Sequence, residues 1–163
     1  MNAAIKLMIP FVFALICLVG CENKEASTHI SNNQLKVWAD TITYDVLIHN
    51  PDSLNNWESN KVKHVKQKEL VNDLFELIYS GKKKAYHYYT NEKLSTSDIK
   101  ELEQDPRFDR DKVGKLQFKE TWLFSQNYSD IHKEIHEILL AYEIYDDSGN
   151  LRGYKAAFYL KDF

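Results

Sequence analysis

The sequence is poor in the residues that build several common kinds of active site. It has five glycines, none in a run that could wrap a phosphate group, and no serine in the Gly-x-Ser-x-Gly setting of a nucleophile elbow. Its two cysteines, Cys17 and Cys21, both fall within the first 21 residues. The rest of the chain therefore has no thiol for a disulfide, a metal cluster or covalent catalysis. We expect a protein without catalytic activity and without a cofactor.

The N-terminal segment carries the signals of an exported lipoprotein. Lys6 precedes an apolar run from Leu7 to Val19, which is too short to span a bilayer but typical of a secretory signal peptide. The run leads into Leu18-Val19-Gly20-Cys21, which resembles the bacterial lipobox. That resemblance implies cleavage before Cys21 and attachment of acyl chains such as palmitate to this cysteine. The alternative, a buried hydrophobic helix, fits poorly with the polar residues that follow at once.

The pattern divides the chain into a signal peptide (1–20), a polar tether (21–34) and one domain (35–163). Loss of Lys6 with the signal peptide leaves twenty basic and 24 acidic residues, a net charge of −4, which gives no general attraction to nucleic acid. We expect a cell-envelope protein that is held to a membrane through the lipid on Cys21, with protein partners and no nucleic acid. The Lys24-Glu25 pair resembles the charged tethers of surface lipoproteins, so the outer membrane is the expected location rather than the inner one.

Two helices are predicted in the first half of the domain. Apolar residues at helical spacing predict a helix from about Val62 to Ser80, and Gly81 suits its left-handed C-cap. Trp57 is expected to anchor the core near the start of this helix. A shorter helix over 99–104 is predicted after the capping sequence 95–98. Lysines 82–84 fit the negative end of the first helix dipole or, together with Lys61, Lys63, Lys66 and Lys68, a basic contact patch.

Strands are predicted on both sides of these helices. Residues 35–48 favour one or two short elements, and the aromatic segment 85–90 favours a strand in which Tyr86 and Tyr88 share a face. After residue 115, alternating apolar residues predict three strands, the last two joined by a hairpin at 146–150. Three consecutive antiparallel strands covered by helices give an α+β fold, a two-layer sandwich whose C-terminal meander is covered by one long and one short helix.

Two groups could carry chemistry. His132 and His136 have the spacing of a helical metal site, but on the predicted strand they lie about 13 Å apart, too far to chelate one ion. We therefore expect no metal. Glu120 falls on the apolar side of its strand, where a raised pKa would suit an acid or base. The simpler interpretation is an ion pair with a cation such as Arg152 or Lys155.

The chain is rich in aromatic residues, with ten tyrosines and three tryptophans. Most should pack in the core or on the sheet, and any that are exposed together would mark an interface, where tyrosine and tryptophan are enriched. The residues expected to form the interaction or ligand surface are Tyr86, Tyr88, Glu120, Trp122 and Tyr142.

The order of several short segments is similar to the GldN/PorN family of the Bacteroidetes gliding-motility and type IX secretion machinery. These segments are Trp38-Ala39-Asp40, Tyr44-Asp45-Val46, Leu74-Phe75-Glu76, 80–86 and 118–124. The resemblance covers most of residues 35–124. It implies a non-enzymatic role in assembly of that apparatus.

Two functions of different class remain open from the sequence. One is a non-catalytic envelope lipoprotein that binds another protein through a sheet edge or an aromatic face, as an accessory of gliding motility or type IX secretion. The other is a periplasmic or surface lipoprotein that holds a small ligand or a glycan in an aromatic pocket. A flat exposed aromatic patch favours the first, and a concave pocket favours the second.

Overall fold

The computed structural model describes residues 35–52, 54–126 and 130–163. The predicted signal peptide, the polar tether and Cys21 lie outside these residues. Within the described part, no helix is both long enough and apolar enough to cross a membrane.

Five antiparallel strands form one sheet in the order β1-β3-β4-β5-β2. They are β1 (Leu35–Leu47), β2 (Ala85–Tyr86), β3 (Val113–Ser125), β4 (Ile131–Tyr145) and β5 (Leu151–Lys161). The predicted C-terminal meander of β3, β4 and β5 is confirmed. In its second hairpin, Asp146 N–H donates to Asn150 O at 2.9 Å and Gly149 adopts φ of 81°, a conformation that glycine tolerates without strain.

The helices all lie in the first two thirds of the chain. They are α1 (Asn56–Val62), α2 (Gln67–Tyr79) and α3 (Thr96–Gln104), followed by a 3₁₀ turn (Arg110–Lys112). The predicted single helix from Val62 to Ser80 is therefore wrong at its start. The helix that corresponds to it, α2, begins at Gln67. The side-chain amide of Gln67 donates to Val113 O at 3.0 Å and fixes the start of α2 against β3.

The two predicted helix-end signals are confirmed. Gly81 has φ of 72°, and its N–H donates to Ile78 O at 2.9 Å, as expected beyond the end of α2. Ser95 and Asp98 form a capping box at the start of α3, which stops before Pro106. Local hydrogen bonds, from the backbone of Gly81 and from the side chains of Ser95 and Asp98, therefore define these helix boundaries.

The core lies between α2 and one face of the sheet, here called the covered face. Phe75 of α2 is fully buried and packs edge-to-face on Phe158 of β5, with ring centroids 5.3 Å apart. Tyr142 of β4 packs in the same manner on Phe108, at 5.1 Å. Ile99 brings α3 into the same cluster. The expected α+β sandwich, with helices covering a meander, is thus the fold of the domain.

Some predicted details are wrong for identifiable reasons. Trp57 is not a core anchor: it is 72% exposed, because α1 contributes no buried residue. The predicted strand 85–90 stops at Tyr86, and the chain turns so that Tyr88 leaves the line of the strand. On β5 a bulge at Ala157 separates Phe158, on the covered face, from Ala156, on the opposite face. No helix of the described residues lines the cavities on this second face, which is here called the open face.

Candidate functional site

An exposed aromatic patch lies at the end of the covered face, past the residues that pack against the helices. It consists of Trp38, Trp122, Phe124 and Ile131. Trp38 is 62% exposed and Ile131 is 56% exposed. The Trp38 ring stacks on Trp122, with centroids 5.9 Å apart, and meets Phe124 edge-on at 5.1 Å. Large apolar side chains that are both exposed and mutually packed are a feature of binding surfaces.

A buried carboxylate, that of Glu120, binds the Trp122 side chain of this patch. Glu120 is 3% exposed, and it accepts hydrogen bonds from the Tyr44 hydroxyl and the Trp122 indole N–H, both at 2.9 Å. Lys133 Nζ lies 3.4 Å from the same carboxylate. The expected ion pair is therefore present, but the partner is Lys133 and not Arg152 or Lys155. Trp122 pairs directly with Lys133 in the β3–β4 register, which brings the lysine over Glu120.

The charge of Glu120 is stabilised rather than suppressed. Burial alone would raise the pKa of this carboxyl, but the hydrogen bonds from Trp122 and Tyr44 and the nearby ammonium of Lys133 outweigh that effect and hold the pKa below its usual value. A carboxylate that stays ionised at neutral pH is a poor proton donor. The alternative of a raised pKa for acid–base chemistry is wrong, and the group serves as a fixed acceptor.

Lys133 also positions the rings. Its ammonium lies 4.6 Å from the centroid of the Trp122 ring and 5.4 Å from that of Tyr44. A cation between two aromatic faces is attracted by both, and the ion pair with Glu120 keeps it there. The indole of Trp122 is thus fixed at its N–H and at its face, so the exposed Trp38 packs on a rigid support.

Among the described strands, the patch continues into an edge of the sheet. β1 is an edge strand of 13 residues, and its pairing with β3 shifts register between Val37 and Ala39 and again between Ala39 and Ile42. Thr41, between these shifts, has φ of 51°. Such irregularities interrupt the row of unpaired backbone groups that would otherwise recruit any strand. From Ile42 to Leu47 the pairing is regular.

The five residues predicted for the interaction surface do not form one site. Tyr142 is 1% exposed and belongs to the core, because it follows Ile138 and Leu140 on the covered face. Glu120 and Trp122 support the aromatic patch. Tyr86 stacks on Tyr159 at 5.6 Å near the other edge of the sheet, and Tyr88 is in the loop beyond it. Tyr88 and Tyr142 border one cavity of about 230 Å³ beside α3, but Tyr86 and Trp122 are not part of its wall, so this cavity does not gather the four rings.

The two histidines of β4 stay apart. His136 Nε2 lies 2.7 Å from the Thr121 hydroxyl, whereas His132 pairs with Leu123 further along the strand. Among residues 35–52, 54–126 and 130–163, no three His, Cys, Asp or Glu side chains approach closely enough to hold a metal ion.

A second buried carboxylate, which no local sequence pattern indicates, joins the segment after β1 to β4. Glu143 is 3% exposed and lies 2.7 Å from His49 Nδ1, and it also accepts a hydrogen bond from the Tyr145 hydroxyl. Burial and the charge of Glu143 raise the pKa of Tyr145 to about 12, so this hydroxyl remains a donor. The side chain of Glu143 passes over Gly114, where no Cβ blocks the approach. His49 and Glu143 are 94 positions apart in the sequence, so no local motif indicates the contact.

The predicted basic contact patch is weakened by local acids. Lys61 pairs with Glu58 at 2.7 Å and Lys66 pairs with Glu69 at 2.8 Å. Lys68 is paired with Asp111 in the same way. The charges of Lys61, Lys66 and Lys68 are therefore compensated by neighbouring acids.

Comparison with known proteins gives no further guide to function. The chain matches no known family profile, and no curated protein shows significant similarity to it.

Proposed function

We propose that the chain is a non-catalytic lipoprotein of the cell envelope that binds another protein through the aromatic patch. Lipid on Cys21 would hold it to the outer membrane, and the partner would belong to the gliding-motility or type IX secretion apparatus, as the segment order suggests. The observation that carries the proposal is Trp38, which is 62% exposed and yet packed on both Trp122 and Phe124.

Three properties of the patch suit a protein partner. Tryptophan and other aromatic residues are enriched at protein interfaces and among the residues that dominate binding energy. The rings are preorganised by the Glu120 and Lys133 contacts, so little side-chain freedom is lost on binding. Trp38 lies on β1, a strand at the edge of the sheet, which a partner protein can approach from the side.

A paired substitution tests the proposal. Trp38 and Trp57 are similarly exposed, at 62% and 72%, but Trp57 lies on α1, outside the aromatic patch. A photo-activatable amino acid at Ile131 in the full chain should crosslink to a specific envelope protein in intact cells. Trp38→Ala should reduce that crosslink about thirtyfold, since truncation of a central tryptophan costs ~2 kcal/mol or more. Trp57→Ala should leave it unchanged.

The partner's identity tests the finer part of the proposal. Mass spectrometry of the crosslinked species should identify a component of the gliding or secretion apparatus. A Trp38-dependent partner from another system would refute the assignment to that apparatus but not the interface. Equal capture by Trp38→Ala and Trp57→Ala would refute the interface itself. Cys21→Ala should abolish incorporation of labelled palmitate, and continued labelling would refute the anchor.

A further inference from the structure

A groove crosses the open face of the sheet and has no part in the proposed protein interface. It contains two adjoining cavities of about 320 Å³ and 330 Å³, which share Tyr88, Gln117 and Leu139 in their walls. The first extends from Thr43 on β1 to Tyr159 on β5. Each volume lies near the lower end of the ~300–1,000 Å³ typical of small-molecule sites.

Two lysines of the groove are paired with acids, and a third, Lys155, lies in the wall of the second cavity near Asp105. Lys115 Nζ lies 3.1 Å from Asp45, and Lys119 Nζ lies 3.5 Å from Glu137. Gln117 also donates to Asp45, at 2.8 Å. This bond and the nearby Lys115 hold the pKa of Asp45 below its usual value against the opposing effect of burial, so Asp45 stays an ionised acceptor. The two pairs add no net charge to the wall and Lys155 lies beside Asp105, so the groove has no concentration of like charge that would favour a phosphate, a nucleotide or a cation over a neutral ligand.

The same groups offer many hydrogen bonds at short spacing. The Thr43 hydroxyl both donates and accepts, the Gln117 amide has an acceptor oxygen besides the donor used by Asp45, and the lysines have further donors. A wall of alternating donors and acceptors on neighbouring strands suits a ligand that carries several hydroxyl groups. Leu139, Ala141 and Ala156, together with the tyrosine rings, supply the apolar part of the walls.

Tyrosine rings border the groove at its β5 end. Tyr88 contributes to both cavities and is 46% exposed, and its ring packs edge-on against Tyr89 with centroids 4.8 Å apart. The face of an aromatic ring carries partial negative charge. It therefore attracts the weakly positive C–H groups on the flat side of a pyranose ring, while the sugar hydroxyls face polar side chains.

We propose that the open face binds a neutral saccharide, a short oligosaccharide that lies along the two cavities and stacks on Tyr88, with Gln117 and Asp45 hydrogen-bonded to its hydroxyls. This is a second binding activity, separate from the aromatic patch.

Calorimetric titration of the full chain tests this site. The chain is solubilised in a zwitterionic detergent, because glycoside detergents would compete for the groove. The probes are neutral tetrasaccharides of α-1,4-glucose, β-1,4-glucose, β-1,4-N-acetylglucosamine and α-1,6-mannose. At least one should bind at millimolar concentration or below. Tyr88→Ala should weaken that binding about tenfold or more, and Tyr88→Phe should retain most of it because the ring face is kept.

Further variants separate this site from the protein interface. Gln117→Ala should weaken saccharide binding through loss of hydrogen bonds to the sugar. Trp38→Ala is the matched control, since it removes an exposed aromatic ring outside the groove and should leave the titration unchanged. Failure of all four probes to bind would overturn the proposal, as would equal affinity of Tyr88→Ala and the unaltered chain. Neither result would affect the Trp38-dependent crosslink, so the two proposals fail independently.

Discussion

Replacement of Glu120 by glutamine should destabilise the domain by about 2 kcal/mol near neutral pH. The glutamine fits the same space but carries no charge. Hydrogen bonds to a charged group contribute about 1.5–3 kcal/mol each, against about 0.5–1.5 kcal/mol for neutral pairs. In Glu120→Gln the amide oxygen can still accept from the Trp122 indole, and the amide NH2 can donate to the Tyr44 hydroxyl oxygen, so both bonds, now at 2.9 Å, change from the first kind to the second. Loss of the half-exposed ion pair with Lys133 adds at most about 1 kcal/mol.

The difference in the free energy of unfolding between the unaltered chain and Glu120→Gln should shrink as the pH falls. The pKa of Glu120 is lowered in the folded state, so its carboxylate stabilises the fold fully above the unfolded-state pKa of about 4.3. This contribution is lost as the pH falls through the folded-state pKa. The free energies of unfolding of the two proteins should therefore converge progressively below about pH 4.

Urea unfolding followed by circular dichroism measures the effect without relying on tryptophan emission, which the substitution itself would alter. Thermal unfolding is a second measurement. The midpoint temperature of Glu120→Gln should lie about 6–10 °C below that of the unaltered chain, for a domain of this size. Glu58→Gln is the matched control: its pair with Lys61 is exposed on α1, so the loss should stay within about 0.5 kcal/mol. A loss below about 0.5 kcal/mol for Glu120→Gln, or one that persists in acid, would refute the account of the buried carboxylate.

Three further substitutions test the packing, each by urea unfolding. Gly114→Ala should destabilise the domain by about 1–3 kcal/mol, because the new Cβ would lie 2.5 Å from Glu143 Oε1; full stability would mean that Glu143 moves aside at no cost. Phe75→Ala should cost about 3–5 kcal/mol, since this ring is fully buried against Phe158, and a loss under 1 kcal/mol would contradict the core described above. Ser95→Ala should cost about 1 kcal/mol by removal of the α3 cap, and no loss would show that Asp98 alone suffices.

The features that could be predicted from the sequence are those set by neighbours in the chain. Gly81 ends α2 and Ser95 caps α3 through hydrogen bonds within a few residues, and both follow from residue type and position. The alternation of Leu116 and Phe118 likewise marks a strand with one buried face. Each of these depends on local geometry alone, so no knowledge of the fold was needed.

The contacts of the candidate site depend on strand register, which the sequence does not reveal. Glu120 was expected to meet a cation of β5, but β4 lies between β3 and β5, and Lys133 is the residue that its register brings across. The pairing also shifts between Lys119 and Glu120, which moves every later residue of β3 by one partner. A single bulge thus decides which cation meets a buried carboxylate, and residue patterns do not locate it.

The sequence did contain the information that excludes Tyr142 from the surface. Its alternation with Ile138 and Leu140 places it on the same face of β4 as these apolar residues, and that face is the one that α2 must cover. As a tyrosine, Tyr142 could have belonged to a binding surface. Its position on the apolar face of β4 places it in the core instead. The same rule separates the other aromatic residues by location: Trp38 lies past the helices and stays exposed, while Tyr88 lies in a loop and borders the open face. The aromatic richness of the chain therefore reflects a core and two distinct surfaces, and each surface needs its own partner experiment.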